Sequence, residues 1–446
     1  MARPNIILIC ADQHRWDCAG CAGNADIRTP NLDILAAHGV RFPQAICQFP
    51  SGAPSRATIL TGQHPSTHGV GAGRKDLPNA AVTFPQLLAN AGYWCGCVGK
   101  MDSILSRSHT GFDVMKPAEQ QRDGQRQDDY HAWLEGRGLA DQMTTGDHRD
   151  REMAPTARSE RFGARASNLP EDAYSTTWIG DRAVQFLRAA REPFFLYTGF
   201  TKPRHPFDPP PPWHKMYPQR ALTLPEGWRL PISEQDLRQN NSFDFRAMTE
   251  SRFRRVLSHY YANISLVDKQ VGRILATLSS RSLTNNLIVY TADHGDYMGQ
   301  HGLILKGGQL YDSVLRVPLV IAGLARQGRG QVDPTPVELA DLMPTFLEAA
   351  TIRIPKRVEG KSLVGLLCHR GSGRRAAFAE GPHGAVVVRT AGNKLVESPD
   401  QEFRALYDLN KDPHEFRNLY GTRRAERVQA QLTELLQKRY KRGGKQ

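Results

Sequence analysis

At 446 residues the chain exceeds the size at which a single hydrophobic core keeps growing, which predicts one large domain and a smaller one. It carries 58 Lys and Arg against 45 Asp and Glu, a net charge of +13, yet no helix-turn-helix, RNA-binding or zinc-finger pattern accompanies the excess. The charge reads as solvated surface plus an anion-attracting site, with no nucleic-acid partner, and no apolar run is long enough to span a membrane.

Met1-Ala2-Arg3-Pro4 leads directly into the apolar run Asn5 to Cys10 with no h-region between, so a cytoplasmic location is expected. That run, ended by Asp12-Gln13-His14, reads as a strand buried on both faces of a parallel sheet. Thr29-Pro30 then opens a helix with an apolar stripe at Leu32, Leu35 and Ala36, closed by Gly39. A further helix is expected to begin at Pro54. Helix and strand go on alternating: helix 84–91, strand 94–98, helix 174–191, strand 194–200, helix 253–278, strand 286–292, strand 317–321 and helix 339–350. Alternation of this kind predicts an α/β fold, a mostly parallel sheet with helices on both faces.

Two segments break the rhythm. Arg122 to Asn168 is polar and poor in large apolar residues, which predicts an insertion or lid over 122–168. Phe207 to Leu230, with Pro209-Pro210-Pro211-Pro212, reads as an extended loop. Past residue 370 the pattern changes to short strands at 376–379, 385–389, 394–397 and 405–409, then a helix over 423–440. The expected division is a main domain over 1–368 and a small C-terminal subdomain over 369–446, an antiparallel sheet with a terminal helix. Seven cysteines are scattered through apolar segments; Cys18 and Cys21, and Cys95 and Cys97, lack a second ligand pair at zinc spacing and read as buried free thiols.

In open α/β sheets ligands sit at the carboxyl ends of strands. Asp12-Gln13 follows the first strand and Asp293-His294 follows Ile288 to Ala292. Carboxylates, an amide oxygen and an imidazole converging there suit one divalent cation, Ca²⁺ expected first and Mg²⁺ or Mn²⁺ as alternatives, because hard oxygen donors dominate. The stretch Ser51-Gly52-Ala53-Pro54-Ser55-Arg56, entering a helix, offers backbone N–H groups and a positive helix end to an anion. Arg56, one turn in, is placed to make bidentate contacts with a tetrahedral oxyanion.

The run Pro54-Ser55-Arg56-Ala57-Thr58-Ile59-Leu60-Thr61-Gly62 resembles the active-site element of the sulfatases, read as Cys (or Ser)-x-Pro-Ser-Arg-x-x-x-Leu-Thr-Gly. Further matches extend over nearly the whole chain: Asp12-Gln13, Thr29 to Asp33, Gly99-Lys100-Met101, Phe194 to Tyr197, Tyr261 to Asp268, Asp293 to Asp296, His301-Gly302-Leu303 and Leu406 to Pro413. Within the family the chain resembles the branch of choline sulfatases and phosphonate monoester hydrolases. The resemblance implies an alkaline-phosphatase-like core and places metal ligation on Asp12, Asp293 and His294, with Gln13 a further ligand or a support for one. It also places oxyanion contacts on Arg56, Lys100 and Lys306.

Three positions depart from the pattern. Gly52 stands where the family has the Cys or Ser that becomes formylglycine, so no formylglycine is expected. Asp102 stands where the family usually has a His near the nucleophile, and Arg204 stands in Pro203-Arg204-His205-Pro206-Phe207 where it usually has another. The resemblance therefore implies a metal-dependent hydrolase of sulfate, phosphate or phosphonate esters with altered chemistry. Water activated by the cation attacks, Asp102 or His205 serves as acid or base, and Ser51 and Arg204 contact the substrate. The alternative is a pseudo-sulfatase that binds a sulfated or phosphorylated ligand without cleaving it. Either way the partner is a small anionic ester, and a homo-oligomer is the expected assembly.

Overall fold

The structure is a computed structural model that describes residues 3–71, 76–102, 111–119, 128–143, 164–230, 233, 236, 248–324, 330–399 and 403–440. Most of the expected 122–168 insertion lies outside the described residues; the part inside includes one helix, Asp129–Gly136, N-capped by the Asp128 side chain. The strands of the main body are β1 (Asn5–Asp12), β2 (Gly39–Arg41), β3 (Ala45–Ile46), β4 (Trp94–Gly99), β5 (Val114–Pro117), β6 (Phe194–Pro203), β7 (Asn286–Ala292), β8 (Leu319–Ala322), β9 (Gln331–Val332) and β10 (Val337–Glu338). Eight of them form one sheet in the order β5-β4-β6-β1-β7-β8-β2-β9, while β3 and β10 pair separately.

β5, β4, β6, β1 and β7 run parallel, and β8 is antiparallel to both β7 and β2. The sheet is mostly parallel, as the alternation predicts. β1 is central and buried along its whole length. Period-two side-chain alternation divides it between two cores. Ile6, Leu8 and Cys10 join one with Ile59 and Leu60 of helix Gly52–Thr61, Phe84 and Leu88 of helix Phe84–Asn90, and Phe346 of helix Leu342–Ala349. Ile7, Ile9 and Ala11 join the other with Leu32 and Leu35 of helix Pro30–Ala37, Trp178 and Ile179 of helix Ser175–Ala189, and Val267 and Ile274 of helix Glu250–Ser280. Each fully buried Ile or Leu in such a layer is worth about 1.5–3 kcal/mol relative to exposure.

Several boundaries differ from the sequence reading for local reasons. Helix Gly52–Thr61 begins two residues before Pro54, because first-turn N–H groups have no intrahelical partner and a proline there costs nothing. The helix expected over 339–350 is a 3₁₀ turn, Leu339–Asp341, followed by Leu342–Ala349. Asp341 accepts from the Glu338 and Lys361 N–H groups at 2.8 and 2.7 Å, tightening the turn. The Pro-rich segment contains 3₁₀ turns at Trp213–Lys215 and Gln219–Ala221, and its Phe207, Tyr217 and Leu222 pack on Phe253, Val256 and Tyr260 of the long helix.

The C-terminal strands β11 (Ala376–Glu380), β12 (Val386–Thr390), β13 (Asn393–Glu397) and β14 (Ala405–Asp408) form an antiparallel sheet in that order, followed by helix Glu426–Tyr440. One face of this sheet (Ala377, Ala379, Val387, Val396, Tyr407) belongs to the main core. The other face (Ala376, Val388, Leu395, Leu406) packs with Leu432 and Leu436 of the terminal helix. A buried ionic cluster reinforces the junction: Asp312 meets Arg389 Nη2 at 2.8 Å and Lys394 Nζ at 3.1 Å, and Lys394 meets Glu415 at 2.6 Å. Removing one member of such a cluster leaves charge buried without its partner. Lys394→Ala is expected to lower the unfolding free energy by about 3–5 kcal/mol, read as a lower urea midpoint at unchanged slope.

Candidate active site

The site lies at the carboxyl ends of β1, β7 and β4. Ala11 and Ala292 are paired across β1 and β7, so the next residue of each strand, Asp12 and Asp293, leaves the sheet side by side. The β1–β6 register shifts between Ala11 and Asp12, and Gln13 turns into the left-handed region with φ 71°. This turn is held from outside: the Tyr260 hydroxyl donates to the Gln13 carbonyl at 2.7 Å, and Gln13 N donates to Asp293 Oδ1 at 3.0 Å. Asp12, Asp293 and His294 offer ligand atoms that all lie within 4.8 Å of one another.

The donor set fits a hard divalent cation. Asp12 Oδ1 and Gln13 Oε1 are buried oxygens without a hydrogen-bond partner, a costly state unless something positive satisfies them, and Asp293 Oδ2, which also lacks a hydrogen bond, has only the Arg56 charge beside it. Gln13 Nε2 donates to Asp296 at 2.6 Å, which orients the amide and leaves Oε1 available. His294 Nδ1 donates to the Gly295 carbonyl at 2.8 Å, so Nε2 carries the lone pair, 3.8 Å from Asp12 Oδ1 and 3.9 Å from Asp293 Oδ1. Burial, then Lys306, holds the His294 imidazole down at about 4, neutral at physiological pH as a ligand must be.

A ring of cations surrounds these carboxylates. Lys100 Nζ bridges Asp12 Oδ2 at 2.6 Å and Asp102 Oδ1 at 2.9 Å. Arg56, 1% exposed, stands 3.0 Å from Asp293 Oδ2, pairs through the same nitrogen with Asp102 Oδ2, and donates from Nε to the Tyr197 hydroxyl at 3.1 Å. Lys306 Nζ donates to His294 Nε2 at 2.9 Å. Burial opposes ionisation of Asp12, but Lys100, Arg204, Arg56 and Lys306 outweigh it and hold the carboxyl well below its ordinary value. Burial pulls Lys306 down to about 8, against the opposing pull of Asp12. Burial likewise works against the Lys100 charge, while Asp102 and Asp12 carry its pKa above the usual lysine range.

The structure brings Asp12, Gln13, Arg56, Lys100, Asp102, Asp293, His294 and Lys306 into one hydrogen-bonded and ion-paired group. Arg204 joins through its backbone N–H, which donates to the Asp12 carbonyl at 3.0 Å, and through its charge on Asp12. His205 is partly exposed; burial, then Arg204 and Lys306, holds its pKa well below the ordinary value. Ser51 stands one residue before helix Gly52–Thr61 in extended backbone, and its side chain makes no capping hydrogen bond. The seven cysteines are free thiols, and burial raises Cys21 to about 11 and Cys95 to about 12.

Four supporting residues were not assigned roles by the sequence reading. Tyr197 accepts from Arg56 and donates to the Lys100 carbonyl at 3.1 Å. Ser55 Oγ donates to the Asp293 carbonyl at 2.5 Å. Asp296 orients Gln13. Glu119 accepts from the Met101 and Asp102 N–H groups at 2.8 and 3.2 Å. Tyr197, Ser55 and Asp296 sit inside matched motifs, so position alone flagged them; nothing in the local sequence marks Glu119.

A parallel sheet with an Asp/Asp/His cluster and a cationic surround at its strand ends defines a protein of the alkaline-phosphatase-like class. The chain belongs to the sulfatase family: the Sulfatase family model matches residues 4–352, and the model for the N-sulphoglucosamine sulphohydrolase C-terminal region matches residues 299–442. It is 32% identical to an arylsulfatase of Clostridium perfringens, over 94% of this chain and 91% of that protein. It is 28% identical to a choline-sulfatase of Rhizobium meliloti, over 97% of this chain and 85% of that one. The crystal structure of the phosphonate monoester hydrolase of Agrobacterium radiobacter superposes with a TM-score of 0.79 at 25% identity, covering 97% of this chain and 95% of that one.

Adding Ca²⁺ or Mn²⁺ to metal-free protein at a hundredfold excess over Kd is expected to stabilise the fold by about 2.7 kcal/mol. The gain, read by thermal melts, should vanish in Asp293→Asn and shrink in Gln13→Ala.

Proposed function

We propose that the chain is a metal-dependent hydrolase of sulfate esters, or of phosphate or phosphonate monoesters, that works without formylglycine. The observation that carries this reading is the cluster of buried, hydrogen-bond-deficient oxygens on Asp12, Gln13 and Asp293 next to the intact cations Arg56, Lys100 and Lys306. The names of similar proteins, an arylsulfatase, a choline-sulfatase and a phosphonate monoester hydrolase, support the substrate class. Asp12, Gln13, Asp293 and His294 would hold one divalent cation, Ca²⁺ by its preference for oxygen donors. When bound, it acts as a Lewis acid toward the sulfuryl or phosphoryl oxygens.

The chain's own residues do the rest. Lys100, Lys306 and Arg56 neutralise the non-bridging oxygens as negative charge builds on them, and Lys100 and Arg56 are already held in place by Asp12 and Tyr197. Arg204 adds positive charge at the same carboxylate. His205 is held neutral by burial and by the Arg204 and Lys306 charges. Among the described residues no helix is long and apolar enough to cross a membrane, and seven free thiols support a reducing, cytoplasmic setting.

A second reading, a pseudo-sulfatase that binds a sulfated or phosphorylated ligand without turnover, is favoured by one observation: position 52 carries no side chain. Release of 4-nitrophenol from 4-nitrophenyl sulfate, 4-nitrophenyl phosphate and a 4-nitrophenyl phosphonate monoester distinguishes the two. Turnover is expected with Ca²⁺, Mg²⁺ or Mn²⁺, and should fall at least about 10³-fold with chelator or in Asp293→Ala. Ligand binding without turnover of any ester would establish the second reading.

A further inference from the structure

Gly52 and Asp102 share one volume. A β-carbon built on Gly52 would lie 2.3 Å from Asp102 Oδ2 and 3.1 Å from both Asp102 Cγ and the nearest Arg56 nitrogen. A side chain added at residue 52 fits only if the Asp102 carboxylate moves aside. The carboxylate therefore fills the space through which a residue-52 side chain would reach the ester, in a family whose nucleophile is carried at that position. One position has lost its side chain, and the other extends an ionised oxygen into the gap.

Asp102 is held there firmly. Its backbone adopts φ 60°, a left-handed conformation uncommon for a residue with a β-carbon. Glu119 accepts from its N–H and from that of Met101. Lys100 takes Oδ1 at 2.9 Å and Arg56 takes Oδ2. It is not part of the Asp12, Asp293 and His294 ligand group; Lys100 and Arg56 stand between it and those two carboxylates. Accessibility separates the three acids: the Asp12 and Asp293 side chains are 0% exposed, whereas that of Asp102 is 18% exposed. Of these three acids only Asp102 is open to solvent.

We propose that Asp102 is the nucleophile of this pocket, a carboxylate that replaces the side chain missing at position 52. The inference rests on the hydrolase reading above. Carboxylates serve as nucleophiles elsewhere by forming acyl anhydrides. An Asp102 oxygen bonds to sulfur or phosphorus, and the bond from that atom to the bridging ester oxygen breaks. The bridging oxygen leaves with the electron pair and takes a proton from water. Water then bonds to sulfur or phosphorus, the anhydride bond breaks, and its electron pair returns to the Asp102 carboxylate. The proton released in the second step balances the one consumed in the first, so the sum is ester plus water giving alcohol plus sulfate, phosphate or phosphonate. Lys100 and Arg56, which neutralise the free carboxylate, pass to the non-bridging oxygens as charge moves onto them.

The test quenches the natural chain during turnover of 4-nitrophenyl sulfate and of a 4-nitrophenyl phosphonate monoester with hydroxylamine, which attacks an acyl anhydride at its carbonyl carbon. The expected result is a hydroxamate at residue 102, found by peptide mass spectrometry, and a fall in turnover on the order of 10⁴-fold in Asp102→Asn. If the natural chain turns over and Asp102→Asn stays within tenfold of it with no hydroxamate formed, Asp102 is not the nucleophile and the hydrolase reading survives. If the natural chain turns over none of the esters, both fall. A stability cycle checks the shared volume independently of activity. Gly52→Ala should lower the melting temperature of the natural chain and be tolerated in Asp102→Ala; additive effects would show that the two positions do not compete for space.

Discussion

Two fully buried carboxylates, Asp12 and Asp293, emerge side by side from adjacent parallel strands, and the surrounding structure answers the electrostatic problem they create. Like charges in a low-dielectric interior repel strongly and lose their hydration. Here positive groups close around them, and for Asp12 they outweigh the burial that opposes its charge. Lys100 comes from the end of β4, Arg56 from a helix packed under the sheet, and Lys306 from the segment after β7. Asp12 Oδ1 and Gln13 Oε1 remain without a hydrogen-bond partner, which is why a divalent cation is proposed there. The sheet thus supplies adjacency and the loops supply counter-charge.

Much of this arrangement can be read from the sequence because its causes are local. A strand buried on both faces must be apolar throughout, so Asn5 to Cys10 stands out, and the polar Asp12-Gln13 after it marks a strand end. The same reasoning finds β7 and Asp293-His294. The C-terminal strands alternate between two apolar faces, so period two shows them as well. Short strands such as β2 and β9, three and two residues long, have no room for a periodic pattern.

The site was less legible wherever its cause is long-range. The expected metal ligands and anion-binding cations follow from motif position, whereas the closeness of Asp102 to position 52 does not. Residues 52 and 102 are far apart in sequence, and only their convergence in space shows that one occupies the place of the other. Glu119 is invisible for the same reason: it acts on the backbone of a turn seventeen residues earlier. Read separately, Gly52 suggests a lost function and Asp102 an isolated oddity. Together they share one volume.

The shared volume also couples the two positions in any change to the chain. A β-carbon at residue 52 meets the Asp102 carboxylate before anything else, so a side chain added there displaces that carboxylate from its place beside Arg56. What stands at one of these positions therefore sets what the other can accommodate.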